Sequence, residues 1–251
     1  MADAELRELL AIADAAAFIA SAALKTHRAR WSGVTGEEGR ETKIEGDRRA
    51  EELIIEALTR AAPYPIISEE RGWVEGEAGP YVWAVDPLDG SVNYQRMYPH
   101  CAVSIALLRD HKPVLGVVDS IFLDERYSGI VGIGAWLNGQ SIRVSTIAEP
   151  AKGILHTGVP AAASDESFAL FEKRLKAWRK VRMVGSAASA LAYVAAGRAE
   201  AYRESGSRIW DVAGGCALVE AAGGAARIET PNGFEGPLEV AARNNLVDFP
   251  D

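Results

Sequence analysis

The chain turns abruptly from apolar to reactive at one place, where Val82-Trp83-Ala84-Val85 is followed at once by Asp86-Pro87-Leu88-Asp89-Gly90-Ser91. Pro87 removes a backbone donor and fixes its own φ, so the chain leaves the sheet in a defined direction with Asp86 and Asp89 able to converge. Two converging carboxylates repel unless a cation lies between them. Gly90 allows close backbone approach, and Ser91 is placed to cap a helix whose N–H groups meet an anion. The same residues also suit a plain turn with an Asx bond and an N-cap, since turns favour Asp, Pro, Gly and Ser.

Two further stretches carry acids at the ends of elements. Ile66-Ile67-Ser68-Glu69-Glu70 puts two directly after an apolar strand, where acids are ordinarily solvated surface. Ser207-Arg208-Ile209-Trp210-Asp211-Val212-Ala213-Gly214-Gly215 opens an Ala- and Gly-rich helix with an acid, which dipole matching alone would explain. The histidines, His27, His100, His111 and His156, have no i, i+4 pairing, and Cys101 and Cys216 are far apart, so zinc is disfavoured. Acids with a backbone carbonyl and water suit Mg²⁺ instead, which keeps several waters and binds through one or two carboxylates plus substrate phosphate. The Gly132-x-Gly134 cluster is turn chemistry, because strand-like residues and an Asn-Gly turn follow it, not a helix.

The elements that must position these residues follow from periodicity. Leu6, Leu9, Leu10, Ala13, Ala16, Ala17, Ala20, Ala23 and Leu24 recur at helical spacing and predict a helix over 3–28. The Gly- and charge-rich stretch 31–46 reads as a mobile loop, and a second helix carries Ala50, Leu53, Ile54, Ala57 and Leu58 until Pro63 stops it. Short apolar runs at 66–68, 81–85, 101–108, 114–122 and 127–130 read as strands, and Asn138-Gly139 as a tight hairpin turn. Further strands are expected at 154–156, 182–184, 199–202, 225–228 and 238–242, with helices through Phe168–Trp178, 187–196 and 212–222 between them. The reading is an α/β (α+β) protein of layered helices and sheets in two lobes, 1–148 and 149–251, divided near Pro150.

Composition fits that picture. Of 251 residues, 48% are apolar and 25% charged, as in ordinary globular proteins, so a sizeable core can be buried. No uninterrupted apolar stretch approaches the roughly 18 residues of a membrane span, and the start, with Asp3 and Glu5, is unlike a secretory signal. A cytoplasmic protein without a membrane span is expected. Two cysteines are too few for a disulfide framework and are expected in the core. The 27 Lys and Arg against 35 Asp and Glu leave a net charge of −8, which disfavours nucleic acid as a partner. An anionic ligand would need local attraction, from a bound cation or a helix N-terminus.

In this order, Ser68-Glu69-Glu70, Asp86-Pro87-Leu88-Asp89-Gly90-Ser91 and Trp210-Asp211-Val212-Ala213-Gly214 resemble the Mg²⁺-dependent, lithium-sensitive inositol monophosphatase family of phosphomonoesterases. The resemblance runs from about Asp47 to Asn245 and takes in Asn93-Tyr94, Val184-Gly185-Ser186-Ala187-Ala188 and Glu204. It implies a five-layered αβαβα sandwich in which the first lobe carries most metal ligands and the second carries Asp211 and the substrate-selecting loop. Glu69, Asp86 and the Leu88 carbonyl would hold one Mg²⁺, and Asp86, Asp89 and Asp211 a second. A third, weaker metal would lie near Glu69 and help position water. Asp47 and Ser91 would assist the attacking water, and Gly90 and Ser91 N–H groups would steady the phosphate. Many members have Val-Thr-x-x-Asp where this chain reads Lys43-Ile44-Glu45-Gly46-Asp47, so Glu41 or Glu45 could instead approach the third metal. Lys43 matches a lysine common in that loop.

Relatives with these motifs act on inositol phosphates, fructose 1,6-bisphosphate, 3'-phosphoadenosine 5'-phosphate or histidinol phosphate, and the discriminating stretch lies between Val184 and Asp211. The resemblance assigns Gly185, Ser186, Ala187 and Glu204 to the substrate, with Glu204 accepting sugar or polyol hydroxyls, so inositol monophosphate or a similar polyol phosphate leads. Arg208 is the counterweight, a guanidinium able to grip a second phosphate, although a surface arginine paired with acids would look the same. Dimers are common among relatives, and a homodimer is expected. A regulatory protein-binding role on the same fold is the reading of another class.

Overall fold

The computed structural model describes residues 2–38, 41–159, 164–230 and 234–249. The first helix, α1 (Asp3–Trp31), is followed by a hairpin of β1 (Val34–Glu38) and β2 (Glu41–Ile44), and then by α2 (Glu45–Ala61). The hairpin replaces the loop expected over 31–46. Its glycines and acids give no alternating apolar face, and Ile44 at its end is its buried residue among those described.

An eight-stranded sheet comes next, from β3 (Ile66–Ser68), β4 (Gly72–Val74), β5 (Tyr81–Asp89), β6 (Ala102–Arg109), β7 (Lys112–Ser120), β8 (Glu125–Ile130), β9 (Gly134–Leu137) and β10 (Gln140–Ile142), with the short α3 (Ser91–Arg96) after β5. Its order is β10-β9-β8-β7-β6-β5-β3-β4, antiparallel except for β3 beside β5. The Asn138-Gly139 turn joins β9 and β10 as expected, with Leu137 opposite Gln140.

The second half supplies β11 (Ile154–Thr157), α4 (Asp165–Ala177), β12 (Lys180–Arg182), α5 (Ala187–Ala195), β13 (Ala201–Ser207), α6 (Ile209–Ala221), β14 (Ala225–Glu229) and β15 (Leu238–Arg243). These strands form a five-stranded sheet in the order β12-β11-β13-β15-β14. β12 lies two residues earlier than its apolar run suggested, and β13 runs on to Ser207 because pairing with β15, not hydrophobicity, sustains its polar end.

The strands of the large sheet are buried on both faces, and their side chains divide by parity. On β6, Val103, Ile105 and Leu107 join the core under α1 and α2, whereas Ala102, Ala106 and Leu108 join the core under α5 and α6. α5 and α6 also pack on the five-stranded sheet, and α4 contacts β12. The layers are therefore α1/α2, large sheet, α5/α6, small sheet and α4, the five-layered αβαβα arrangement.

By length and composition α1 is apolar enough to cross a membrane, contrary to the sequence reading, because alanines spaced by single polar residues raise its average without forming an unbroken run. Leu9, Ala13, Ala16, Ala17, Ala20 and Leu24 are nevertheless buried against α2 and the sheet, as in a core helix. Both cysteines are free and buried.

Candidate active site

The motif of β5 is built on a bulge. Asp86 pairs with Ser104 and Asp89 with Ala102, so three residue steps on β5 match two on β6. In a regular strand Asp86 and Asp89 would point to opposite faces; the extra residue at Pro87-Leu88 puts both opposite the α6-facing positions of β6. The missing N–H of Pro87 is accommodated at this irregularity. Asp86 Oδ1 accepts from Leu88 N at 2.9 Å, which fixes the turn and aims its carboxylate. Asp89 Oδ2 accepts from Ser186 Oγ at 2.6 Å and Ala188 N at 2.7 Å, at the start of α5.

Three other elements converge on this end of β5. β3 runs parallel to β5 with Ser68 opposite Val85, so Glu69 and Glu70 emerge beside Asp86. At the start of α6, Asp211 Oδ2 accepts from Arg208 N at 2.7 Å. α6 comes close because glycines face each other: a Cβ on Gly116 would lie 2.2 Å from Gly214 O. At the start of α2, Asp47 Oδ2 accepts from Ile44 N at 2.6 Å in the same way, which turns Oδ1 to Ser91 Oγ at 2.8 Å.

Ser91 is not the N-cap expected from sequence. Gly90 caps α3 at φ 90°, a left-handed conformation, and a Cβ there would meet the carbonyls of His100 and Gly185. The Ser91 hydroxyl lies between Asp47 Oδ1 and Leu88 O, 3.1 Å away. Asn93 Nδ2 reaches His100 O at 2.7 Å and Val184 O at 2.8 Å, fastening the turn before α5 to α3.

Asp47, Glu69, Asp86, Leu88, Asp89, Gly90, Ser91, Gly185 and Asp211 thus line one cavity of about 240 Å³, with Lys43 and Glu70 at its side. Lys43 Nζ donates to Glu70 Oε2 at 3.1 Å. Ser186 is buried and acts on Asp89, and Ala187 packs at the edge of the α5/α6 core. Glu204, on β13, accepts from Tyr202 Oη at 2.8 Å and is near enough to Asp89 to raise its pKa. Arg208 lines a neighbouring cavity and donates to Glu235 O at 2.8 Å. Glu45 pairs with Arg48 and Arg49 and does not line the cavity, while the Glu41 side chain lies outside the described residues.

Glu51 was missed in the sequence. Buried one helical turn after Asp47, it accepts from Ser68 Oγ at 2.5 Å, Glu70 N at 3.2 Å and Arg71 N at 3.0 Å, and so sets the turn that presents Glu69. The available signal was the i, i+4 spacing of Asp47 and Glu51, which puts two acids on one helix face.

The electrostatics are those of crowded anions. Burial, then repulsion from Asp211, Asp47 and Glu70, holds Glu69 well above the ordinary carboxylate range, against the lowering effect of its hydrogen bond with Asp86; burial, then repulsion from Glu69, Asp89 and Asp211, does the same to Asp86. Burial pushes Asp89 up to about 6, against the lowering effect of its Ser186 and Ala188 bonds. Asp47 is pushed up to about 7, also by burial, although Ile44 N and Ser91 bond its charged form. Among the described residues no group of three or more acidic, histidine or cysteine side chains is drawn together closely enough to hold a metal ion as it stands. The six carboxylates of Asp47, Glu69, Glu70, Asp86, Asp89 and Asp211 and the Leu88 segment nevertheless line one cavity, a donor set whose chemistry fits a small hard cation keeping part of its water.

A sequence model of the inositol monophosphatase family matches residues 5–241. The chain belongs to the inositol monophosphatase family. It is similar to inositol-1-monophosphatase of Mesorhizobium japonicum, 40% identical over 179 residues, which are 70% of this chain and 67% of that protein. It is likewise similar to Nus factor SuhB of Xylella fastidiosa, 40% identical over 177 residues, 69% of this chain and 64% of that relative. The matched segment thus spans about two thirds of these relatives' length. The structure of inositol monophosphatase from Anabaena (Nostoc) sp. PCC 7120 superposes with a TM-score of 0.83 at 35% identity, covering 96% of this chain and 92% of that one. Membership in this family of phosphomonoesterases accounts for the shared layers.

Proposed function

We propose that the protein hydrolyses phosphate monoesters of polyols, inositol monophosphate first among them, with Mg²⁺ bound at the end of β5. The observation that carries this is the β5 bulge, which turns Asp86 and Asp89 to one side beside Glu69 and Asp211. Glu69, Asp86 and the Leu88 carbonyl would hold one ion and Asp86, Asp89 and Asp211 another, with Glu69 also beside any third. Bound there, hard divalent cations neutralise phosphate oxygens, lower the pKa of a water and stabilise the leaving oxygen. Li⁺ would compete for such an all-oxygen site and inhibit.

The chain's own residues supply the rest. Ser91 and Asp47 form a relay from the cavity wall into the protein: as the Ser91 hydroxyl accepts a proton from the attacking water, its own passes to Asp47 Oδ1. Gly90 and Ser91 steady the phosphate through their N–H groups, and Gly185 continues the cavity wall beside Gly90. Glu204 accepts alcohol hydroxyls from its place near Asp89. No side chain stands as a covalent nucleophile in this reading.

Relatives named Nus factor SuhB support a second role in protein binding, and the net charge of −8 favours protein over RNA as its partner. Phosphate release in Mg²⁺ from inositol 1-phosphate, fructose 1,6-bisphosphate, 3'-phosphoadenosine 5'-phosphate and histidinol phosphate tests the main reading. Inositol 1-phosphate is expected to have the highest specificity constant. Preference for either bisphosphate would replace the polyol assignment with one through Arg208, and no turnover of any monoester would leave the binding role.

A further inference from the structure

Parallel pairing of Thr157 with Arg203 places Gly158 directly beside Glu204 on the small sheet. A Cβ on Gly158 would lie 2.2 Å from Glu204 Oε1, 2.3 Å from its Cδ and 2.6 Å from Oε2. The collision involves the end of one side chain and no backbone atom within 4 Å is nearer. That end is also tied to Tyr202 Oη at 2.8 Å, so the carboxylate occupies a slot between a phenol and a bare α-carbon. Gly158 is not among the residues with positive φ, so the backbone does not require glycine there. A Cβ there could be accommodated only by moving the carboxylate.

We propose that Gly158 is a specificity-determining position, whose missing side chain leaves the slot in which Glu204 is held toward the alcohol portion of the substrate. This rests on the assignment of Glu204 to substrate hydroxyls. Any larger residue at 158 would push the carboxylate out of the slot and away from the Tyr202 hydroxyl. Hydroxyl recognition would be lost while the phosphate and its carboxylate cluster are left in place. Gly158 is thus a positioning residue, acting through Glu204.

The test is a double-mutant cycle of Gly158→Ala and Glu204→Ala, reading the ratio of specificity constants for inositol 1-phosphate and an aryl phosphate at saturating Mg²⁺. Each single variant should lower that ratio by about ten- to a hundredfold, the worth of one charged hydrogen bond, and the double variant should lose no more than Glu204→Ala alone. Glu204→Asp, one methylene shorter, should recover part of the ratio in the Gly158→Ala background. A Gly158→Ala protein that keeps the wild-type ratio while Glu204→Ala loses it overturns the role of Gly158 alone. An unchanged ratio in Glu204→Ala overturns the underlying reading and the inference with it. If Gly158→Ala folds only when Glu204 is truncated, the collision is supported; if it folds in neither background, the backbone is the obstacle and the inference fails.

Discussion

Ser91 Oγ stands 2.8 Å from Asp47 Oδ1, joining the first residue of α3 to a carboxylate 44 positions earlier whose other oxygen is fixed by Ile44 N. The pair therefore acts as a unit. Ser91→Ala removes the proton path and should lower kcat by on the order of a hundredfold, whereas Ser91→Thr, which keeps the hydroxyl, should retain most activity. Asp47→Asn should match the alanine variant, and the double variant should be no worse than the poorer single one. Multiplying losses in the double variant would contradict the relay.

Asp89→Asn and Asp211→Asn keep side-chain size and can keep the acceptor facing Ala188 N or Arg208 N. On the proposed assignment each would lose a ligand charge, so turnover at limiting Mg²⁺ should fall at least about a hundredfold with little change in thermal unfolding. Wild-type turnover in either variant at low Mg²⁺ would remove that residue from the metal site.

The strands of the large sheet were legible because burial on both faces makes them short unbroken apolar runs, and the two long outer helices because each buries one face and so repeats its apolar residues at helical spacing. Asp86 and Asp89 were legible because an apolar strand runs straight into Asp-Pro-Leu-Asp-Gly-Ser, whereas Glu69, Asp211 and Asp47 look ordinary by themselves and were picked out only by the order of motifs in the family resemblance. The bulge was not legible: Pro87 signals an irregularity, but only pairing with β6 counts three steps against two. The β1-β2 hairpin was hidden by its glycines and acids, and Glu51 by the ordinary look of a helical glutamate. Gly158 has no sequence signal either, since its reason lies 46 residues away in Glu204.

Gly116 opposes Gly214, and this contact sets how far the start of α6 reaches toward β5. Gly116→Ala would force backbone apart and should cost about 3 kcal/mol or more in denaturant unfolding. Because Asp211 rides on α6, its Mg²⁺ requirement should rise as well. Unchanged stability would mean that the close approach is not needed.

Asp119 is buried beneath α1, accepting from Ser21 Oγ at 2.9 Å, and burial pushes its carboxyl from 3.8 up to about 6. The folded chain therefore binds this proton more tightly than the unfolded one. The stability it contributes is complete below about pH 4 and is lost as pH rises through about 6. Asp119→Asn should flatten the pH dependence of unfolding across that window, by roughly 1 to 3 kcal/mol relative to wild type. Parallel wild-type and variant profiles would contradict the assignment.

The central claim is that the acids gathered at the end of β5 work by holding Mg²⁺. Protein stripped with a chelator and dialysed free of it should release no phosphate from inositol 1-phosphate, and added Mg²⁺ should restore release along a saturating curve. Asp89→Asn, carried through the same titration, should shift that curve to higher Mg²⁺ or abolish it. Full phosphate release by the stripped wild-type protein in excess chelator would contradict the account.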